Sequence, residues 1–255
     1  MIHRHDMTDT TLDKAASYNE SFYEDMWRRM AFHSPDRLPW WPALKELADA
    51  SPDRLELGPG VFPRLPVAGT HAVDLSAGAL DVLAKHGAIV HHGLLQDLKF
   101  PDGSFDLVGM FELLEHVQDD EGLLREVARL TRPGGRLVLT VPLGMKHYCS
   151  FDRYMGHVRR FEPDELKTKV ERAGYVLERF EIHAQSIHEP LASLYVAVMR
   201  YFPRITAWSL RYIFLPLLAR KRIEWRDAPQ WETLSKGATD CGAIFRRLGT
   251  GDSPG

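Results

Sequence analysis

The sequence predicts an α/β fold, a doubly wound Rossmann-like sheet whose strands are mostly parallel. Three observations predict it. From Asp53 onward short apolar runs alternate with helical stretches; a glycine turn, Gly58-Pro59-Gly60, closes the first run; and a second turn, Pro133-Gly134-Gly135, introduces the fifth. Alternation at this rhythm is the pattern of a parallel sheet covered by helices.

In order, the strands are read at 54–57, Thr70 to Leu75, Ala88 to His91, Ser104 to Met110 and Arg136 to Val141. Helices fall between and after them, at Ala77–His86, Glu121–Leu130 and Glu162–Ala173. Tyr175 to Ile182 alternates well enough for a sixth strand, and Cys241 to Arg247 forms the last one. Ahead of the sheet, Tyr18, Phe22, Met26 and Met30 recur at four-residue spacing with Trp27 beside them, and a second helix runs from Pro42 to Ala50. That aromatic cluster reads equally as a cap on the core edge or a lid over a pocket. The stretch before the last strand, 184–237, is too long for a structureless loop and is expected to hold helices of its own. Four regions result: an N-terminal helical cap (1–50), a core (51–183), a helical apolar and basic insertion (184–237), and the last strand with a frayed tail (238–255).

Composition narrows the function. With 255 residues, 44% hydrophobic, the chain is an ordinary globule. A net charge of -3 gives no global attraction to nucleic acid, so DNA is not an expected partner. Two cysteines, Cys149 and Cys241, exclude a disulfide scaffold and an all-cysteine zinc site. The polar start, Met1 to Lys14, shows no secretory signal. The most apolar region, Pro190 to Ala219, is interrupted by Arg200, Arg204 and Arg211, leaving uncharged runs of about 10 residues where a span needs roughly 20. A cytoplasmic protein that touches a membrane surface at most is the expectation.

The glycine turn sits where a first strand meets its helix, and where ligands bind in open α/β sheets, beyond the C-terminal ends of the strands. Glycines there let backbone amides approach a ligand. The dinucleotide fingerprint fails because Pro63 stands where its third glycine belongs. Asp74, 18 residues after Glu56, is placed to accept from both hydroxyls of a ribose, and Asp97 from the exocyclic amine of a purine. Either acid alone also reads as a loop residue or a helix cap.

Taken together, Glu56-Leu-Gly-Pro-Gly60, Asp74, Gln96-Asp97-Leu98, the run from Phe100 to Val108, Leu113-Leu-Glu-His-Val117 and Arg132-Pro-Gly-Gly-Arg136 resemble the class I S-adenosylmethionine (SAM) dependent methyltransferases. The resemblance covers roughly Leu55 to Gly174, with Cys241–Arg247 similar to the family's last strand. It implies a seven-stranded sheet with an antiparallel final strand, and SAM as cofactor. Glu56 and the loop after it, with Gly58, Pro59 and Gly60, would hold the methionine end of SAM. Asp74 and Leu75 would take the ribose, Gln96, Asp97 and Leu98 the adenine, and Phe111 would line the same groove. Phe62 stands where the family often has a third glycine.

Methyl transfer requires chiefly that an acceptor atom be held in line with the sulfonium, with a base for the proton that a hydroxyl or amine loses. His116 follows the fourth strand, with an ordinary imidazole pKa near 6.5 suited to that work. His157 is the second candidate, with Tyr154 and His147 on the same loop. Against this, Glu115 and His116 also read as residues that pin a helix start. Glu112, Glu115, His116 and His157 further resemble the divalent-metal set of small-RNA 2′-O-methyltransferases and, in part, of quinone-pathway O-methyltransferases. No metal is assigned on that likeness.

Between Leu191 and Trp225, apolar and aromatic residues interleave with Arg200, Arg204, Arg211, Arg220, Lys221 and Arg222. Three readings stand: helices packed on the sheet edge, a peripheral membrane contact through 190–225, or a dimer contact or substrate lid. The leading functional expectation is a SAM-dependent methyltransferase acting on a small or lipid-like molecule, at oxygen. A metal-assisted RNA 2′-O-methyltransferase and a non-catalytic SAM-binding scaffold are the alternatives. The acceptor and the oligomeric state are not legible in the residues.

Overall fold

The computed structural model describes residues 21–183, 189–221, 223–249 and 251. Eight strands form one sheet: β1 (Arg54–Leu57), β2 (His71–Asp74), β3 (Ile89–His92), β4 (Phe105–Phe111), β5 (Thr131–Pro142), β6 (Tyr175–His183), β7 (Arg226–Asp227) and β8 (Asp240–Arg247). Their order is β3-β2-β1-β4-β5-β8-β6-β7. The first five are parallel, and β8 runs antiparallel between β5 and β6. The expected seven strands are therefore eight: β7, a two-residue strand in the insertion, pairs antiparallel with β6 at the sheet edge. Two residues give no periodicity to read.

The helices are α1 over 21–29, α2 (Trp41–Asp49), α3 (Ala77–Lys85), α4 (Asp120–Leu130), α5 (Ser150–Met155) and α6 (Pro163–Arg172). The insertion contributes α7 (Glu189–Tyr201), α8 (Pro203–Ser209), a π-helical turn (Leu210–Phe214), α9 (Leu215–Leu218) and α10 (Trp231–Leu234). Pro203 stands in the first turn of a short helix, where a missing N–H costs nothing, while Pro216 follows just after the π-helical turn within one continuous helical run. Residues 184–188 and Tyr18 lie outside the described residues.

The largest core cluster fills the sheet from β1 to β8 with Leu55, Met110, Leu139, Phe161 and Phe245, all fully buried. A second cluster packs α2 on the opposite face through Leu44, Ala48, Leu65 and Phe111. These two layers fix the sheet, so the loops at its C-terminal edge are held in place from both sides.

One local departure shapes the ligand-binding edge. In place of the helix expected after the first strand, β1 and β2 are joined by an irregular loop, 58–70. Pro63 and Pro66 remove two amide donors and forbid an uninterrupted helix there. The buried carboxylate of Glu56 takes over the work of holding that loop: it accepts from the backbone N–H of Arg64 at 2.8 Å and of Leu65 at 3.0 Å.

Candidate active site

The strand order, not the chain direction, reverses between β1 and β4, since β2 and β3 lie on one side of β1 and β4 and β5 on the other. Ligands in open α/β sheets bind at that switch point. Here it is bounded by Gly58 and Gly60 after β1 and by Glu112 after β4. Both glycines adopt left-handed backbone, with φ +64° and +53°. A Cβ on Gly58 would stand 2.9 Å from Leu113 Cδ1, and one on Gly60 would overlap the Trp27 indole. Glu112 also has positive φ, 52°, the one non-glycine among the described residues to do so. Its N–H donates to the Thr140 carbonyl (3.0 Å) and hydroxyl (3.1 Å), which holds the conformation against its strain.

Asp74 ends β2 and is 8% exposed. Its carboxylate accepts from the N–H of Gly60 (2.8 Å) and of Ser76 (2.8 Å), tying the first two strand ends together. A carboxylate has about four acceptor positions, and with the Leu75 N–H also acting on this one, some acceptor capacity remains for a ligand. Burial pushes its pKa up, against the pull of those amides. Helix α1 lies across this edge. Glu24 accepts from the Ser76 hydroxyl (2.6 Å) and from the Gly78 N–H (3.2 Å), at the positive end of α3. One turn on, Trp27 packs against Gly60, and on its other side Tyr23 reaches His116 and the Met155 carbonyl. The N-terminal aromatic cluster is thus a cover over the strand ends, with Phe22, Met26 and Met30 half-buried beneath it.

Beyond β4, Glu115, His116 and His157 converge, and one ligand atom from each lies within 4.8 Å of the others. Glu115 is fully buried and neither carboxylate oxygen has a hydrogen-bond partner among the described residues; His116 Nδ1 has none either. Burial and the neighbouring Glu112 charge raise the Glu115 pKa well above the carboxylate range. His116 does not keep the ordinary imidazole pKa expected from its sequence position. Burial, with His157 beside it, depresses it to about 3, so its ring is neutral and weakly basic at neutral pH. The two rings meet edge to face at 4.7 Å.

His157 is oriented by a residue that no sequence motif singles out. Asp152, wholly buried in α5, accepts from His157 Nδ1 at 2.9 Å, which turns Nε2 toward Glu115 at 3.9 Å. Burial works to raise the Asp152 pKa, but hydrogen bonds from His157, Arg160 (2.8 Å) and the Cys149 N–H (2.8 Å) hold it far below the usual range. Asp152 is therefore an anion at all ordinary pH. The clue available in the sequence is the Asp-to-His separation of five residues around Gly156, whose left-handed φ of 80° turns the chain back.

Residues 55–139 match the family model described as Methyltransferase domain. That stretch of the chain is thus similar to a methyltransferase domain. Among curated relatives, it is 33% identical over 134 residues to a ubiquinone biosynthesis O-methyltransferase of Xanthomonas oryzae pv. oryzae, covering 40% of this chain and 55% of that one. It is 30% identical over 147 residues to the 27-O-demethylrifamycin SV methyltransferase of Amycolatopsis mediterranei, covering 47% and 54%. These alignments span about half the length of either relative. A solved SAM-dependent methyltransferase from Thermotoga maritima aligns with 83% of this chain and 88% of its own at a TM-score of 0.53 and 18% identity, a likeness of fold.

The residues that would hold SAM at this edge are Gly58, Pro59 and Gly60, the two glycines covered by Leu113 and Trp27, and Asp74, whose carboxylate lies beside them. Leu75 is half-buried, its carbonyl bonded to His92 Nε2 at 3.0 Å. Gln96 and Asp97 are exposed on a short turn (Leu95–Asp97) after β3, while Leu98 packs on the core. Two residues read as groove contacts sit elsewhere. The Phe111 side chain folds back over Gly109 into the α2 layer, because strand alternation at the end of β4 directs it to that face. Glu56 spends both oxygens on the loop amides and acts by shaping the turn. Tyr154 meets Phe22 of α1 edge to face at 5.2 Å, and so belongs to the cover.

Proposed function

We propose that this protein transfers the SAM methyl group to a hydroxyl of a small or lipid-like molecule. The observation that carries the reading is the Asp152–His157 pair, set beyond β4 on the far side of the switch point from the glycine turn. SAM supplies an electrophilic methyl on a sulfonium. The chain's task is to hold the acceptor oxygen in line with that carbon and to take its proton. His157 Nε2 receives the proton, and the permanent charge of Asp152 stabilises the imidazolium. As the new C–O bond forms, the C–S pair leaves with sulfur as S-adenosylhomocysteine. Neutral His116 and buried Glu115, whose pKa burial raises, line the acceptor's seat as hydrogen-bonding groups. The names of the ubiquinone biosynthesis O-methyltransferase and the 27-O-demethylrifamycin SV methyltransferase support an oxygen acceptor.

A second reading is favoured by the orphaned oxygens of Glu115 and the free Nδ1 of His116. Glu115, His116 and His157 fit a divalent cation in donor type and spacing, and the Asp152–His157 bond is the outer contact that metal-bound imidazoles make. A cation there would supply Lewis-acid polarisation of an acceptor oxygen, and an RNA 2′-hydroxyl would then be a candidate. Methyl-labelled SAM with a panel of phenolic, quinol-like and RNA acceptors, assayed with and without a chelator, separates the two. Proton transfer by His157 predicts turnover of a small acceptor that survives chelation. Loss of turnover on chelation, restored by added Mg²⁺ or Mn²⁺, would favour the cation. Binding of SAM without turnover of any acceptor would leave a SAM-binding scaffold.

A further inference from the structure

The insertion between β6 and β7 carries a surface that the methyl-transfer chemistry does not use. From Pro190 to Ile223 the sequence holds six cations and no Asp or Glu. Of the described residues between 189 and 221, only Ala192, Thr206 and Leu215 are buried. Ten of the thirteen large apolar side chains exposed among the described residues fall between 191 and 217. Tyr201 is 70% exposed and Trp208 56%. Ile205, Trp208 and Tyr212 follow one another at helical spacing, and the last two rings lie 5.8 Å apart. Arg200, Arg204 and Arg211, all exposed, each directly precede one of these apolar residues in the chain. An exposed apolar patch of this extent marks an interaction surface.

We infer that this segment docks on an anionic lipid bilayer, lying in its interface with the aromatic side chains inserted and the arginines at the headgroups. Trp and Tyr suit that depth because one end of each ring is apolar and the other polar. Arginines snorkel from the same surface to lipid phosphates. No described helix is long and apolar enough to cross a membrane, so the segment lies on the bilayer. A second copy is the poorer occupant. An isologous contact would set these cations against themselves, with no acid in the segment to offset them. The placement is also purposeful. Helix α7 sits on α5 through Glu189, which accepts from the Ser150 N–H (2.9 Å) and Arg153 (3.1 Å), and through Phe151 against Tyr195. Since α5 carries Asp152, the lipid-facing surface stands next to the acceptor half of the site. The inference rests on this surface alone and holds whichever acceptor is methylated.

The test is co-sedimentation of the full chain with vesicles of phosphatidylcholine alone, or of equal parts phosphatidylcholine and phosphatidylglycerol. Binding is expected on the anionic vesicles, falling as added salt shortens the screening length from about 10 Å at 0.1 M to about 3 Å at 1 M. The triple variant R200Q/R204Q/R211Q should lose about fivefold per cation, roughly a hundredfold in all, and R200K/R204K/R211K should restore most of it. Trp208→Ser should weaken binding while leaving the salt dependence unchanged. Thermal unfolding of each variant, matched to the parent, confirms that folding is intact. Absence of binding to anionic vesicles, equal binding of the glutamine variant, or a dimer that Trp208→Ser dissociates would each overturn the inference.

Discussion

The two halves of the site are built on opposite principles. On the cofactor side the acids are matched: Asp74 by the amides of Gly60 and Ser76, Glu56 by those of Arg64 and Leu65, and Glu24 by Ser76 and Gly78. On the acceptor side only Asp152 is so matched, while both oxygens of Glu115 and Nδ1 of His116 are buried without a hydrogen-bond partner among the described residues. Leaving such groups unsatisfied costs on the order of 1–3 kcal/mol each. The first half is a finished receptor whose shape is set by the backbone. The second carries a local destabilisation that a bound acceptor or cation would relieve, which is how sites gain affinity from groups that folding leaves unpaired.

The contrast can be broken from the acceptor side with the largest effect. His157→Ala should lower kcat by roughly 10²- to 10⁴-fold, the usual scale for losing a positioned base, with SAM affinity unchanged. Asp152→Asn should lower kcat by a smaller factor and shift its pH profile, because the imidazolium loses its fixed counter-charge. A fall in SAM affinity with either variant would show that the halves are not separate.

On the cofactor side, Glu56→Gln should cost stability rather than catalysis, by about 1–3 kcal/mol, since its NH₂ would face an amide donor. A pH signature accompanies it. The Glu56 carboxyl titrates at about 7 in the folded protein, against roughly 4.3 in an unfolded chain. Between those values the folded state keeps a proton that the unfolded state has released, so stability falls as pH rises through that window and levels off above it. Asp74, Glu115 and Asp240, whose pKa values burial also raises, add slopes of the same sign. Chemical denaturation from pH 4 to 8 should therefore show a slope that is shallower in Glu56→Gln than in the parent by the share of this one proton. An unchanged slope would contradict the assignment.

The smallest predicted effect concerns the cover. Gly60→Ala should be penalised both by its positive φ and by the Trp27 ring, at about 1 kcal/mol or more for the backbone alone. Adding Trp27→Ala should recover the steric part but not the backbone part, and a double-mutant cycle on thermal stability measures the coupling. Additive losses would place Trp27 away from the glycine turn.

Much of the sheet is legible in the residues because its signals are local. Apolar runs bounded by Gly and Pro mark seven strands, six of them to within a residue, while β5 begins at Thr131 and takes in the Pro133-Gly134-Gly135 turn as an irregularity. The helices Ala77–Lys85 and Asp120–Leu130 lie where the helical periodicity puts them. Asp74 and Asp97, the acids read as cofactor contacts, are legible as positions because each stands at or just after a strand end. What escapes depends on distance in space. Asp152 matters only because α5 turns its carboxylate onto His157, and Glu24 and Tyr23 only because α1 crosses the strand ends. Helical spacing in 18–30 shows that a stripe exists but not what it covers. Phe111 shows the limit from the other direction: a motif position suggests the groove, while the alternation of β4 sends the ring to the core.

If Gly58, Gly60 and Asp74 form one preorganised seat for SAM, the loss of Asp74 must be felt in cofactor binding itself. Calorimetric titration of SAM and S-adenosylhomocysteine into the parent chain and into Asp74→Ala measures this. Saturable heat at one site per chain is expected for both ligands, with an affinity at least tenfold weaker in the variant, from losing a charged hydrogen-bond acceptor worth about 1.5–3 kcal/mol. No heat with the parent, or equal affinity in Asp74→Ala, would contradict that seat.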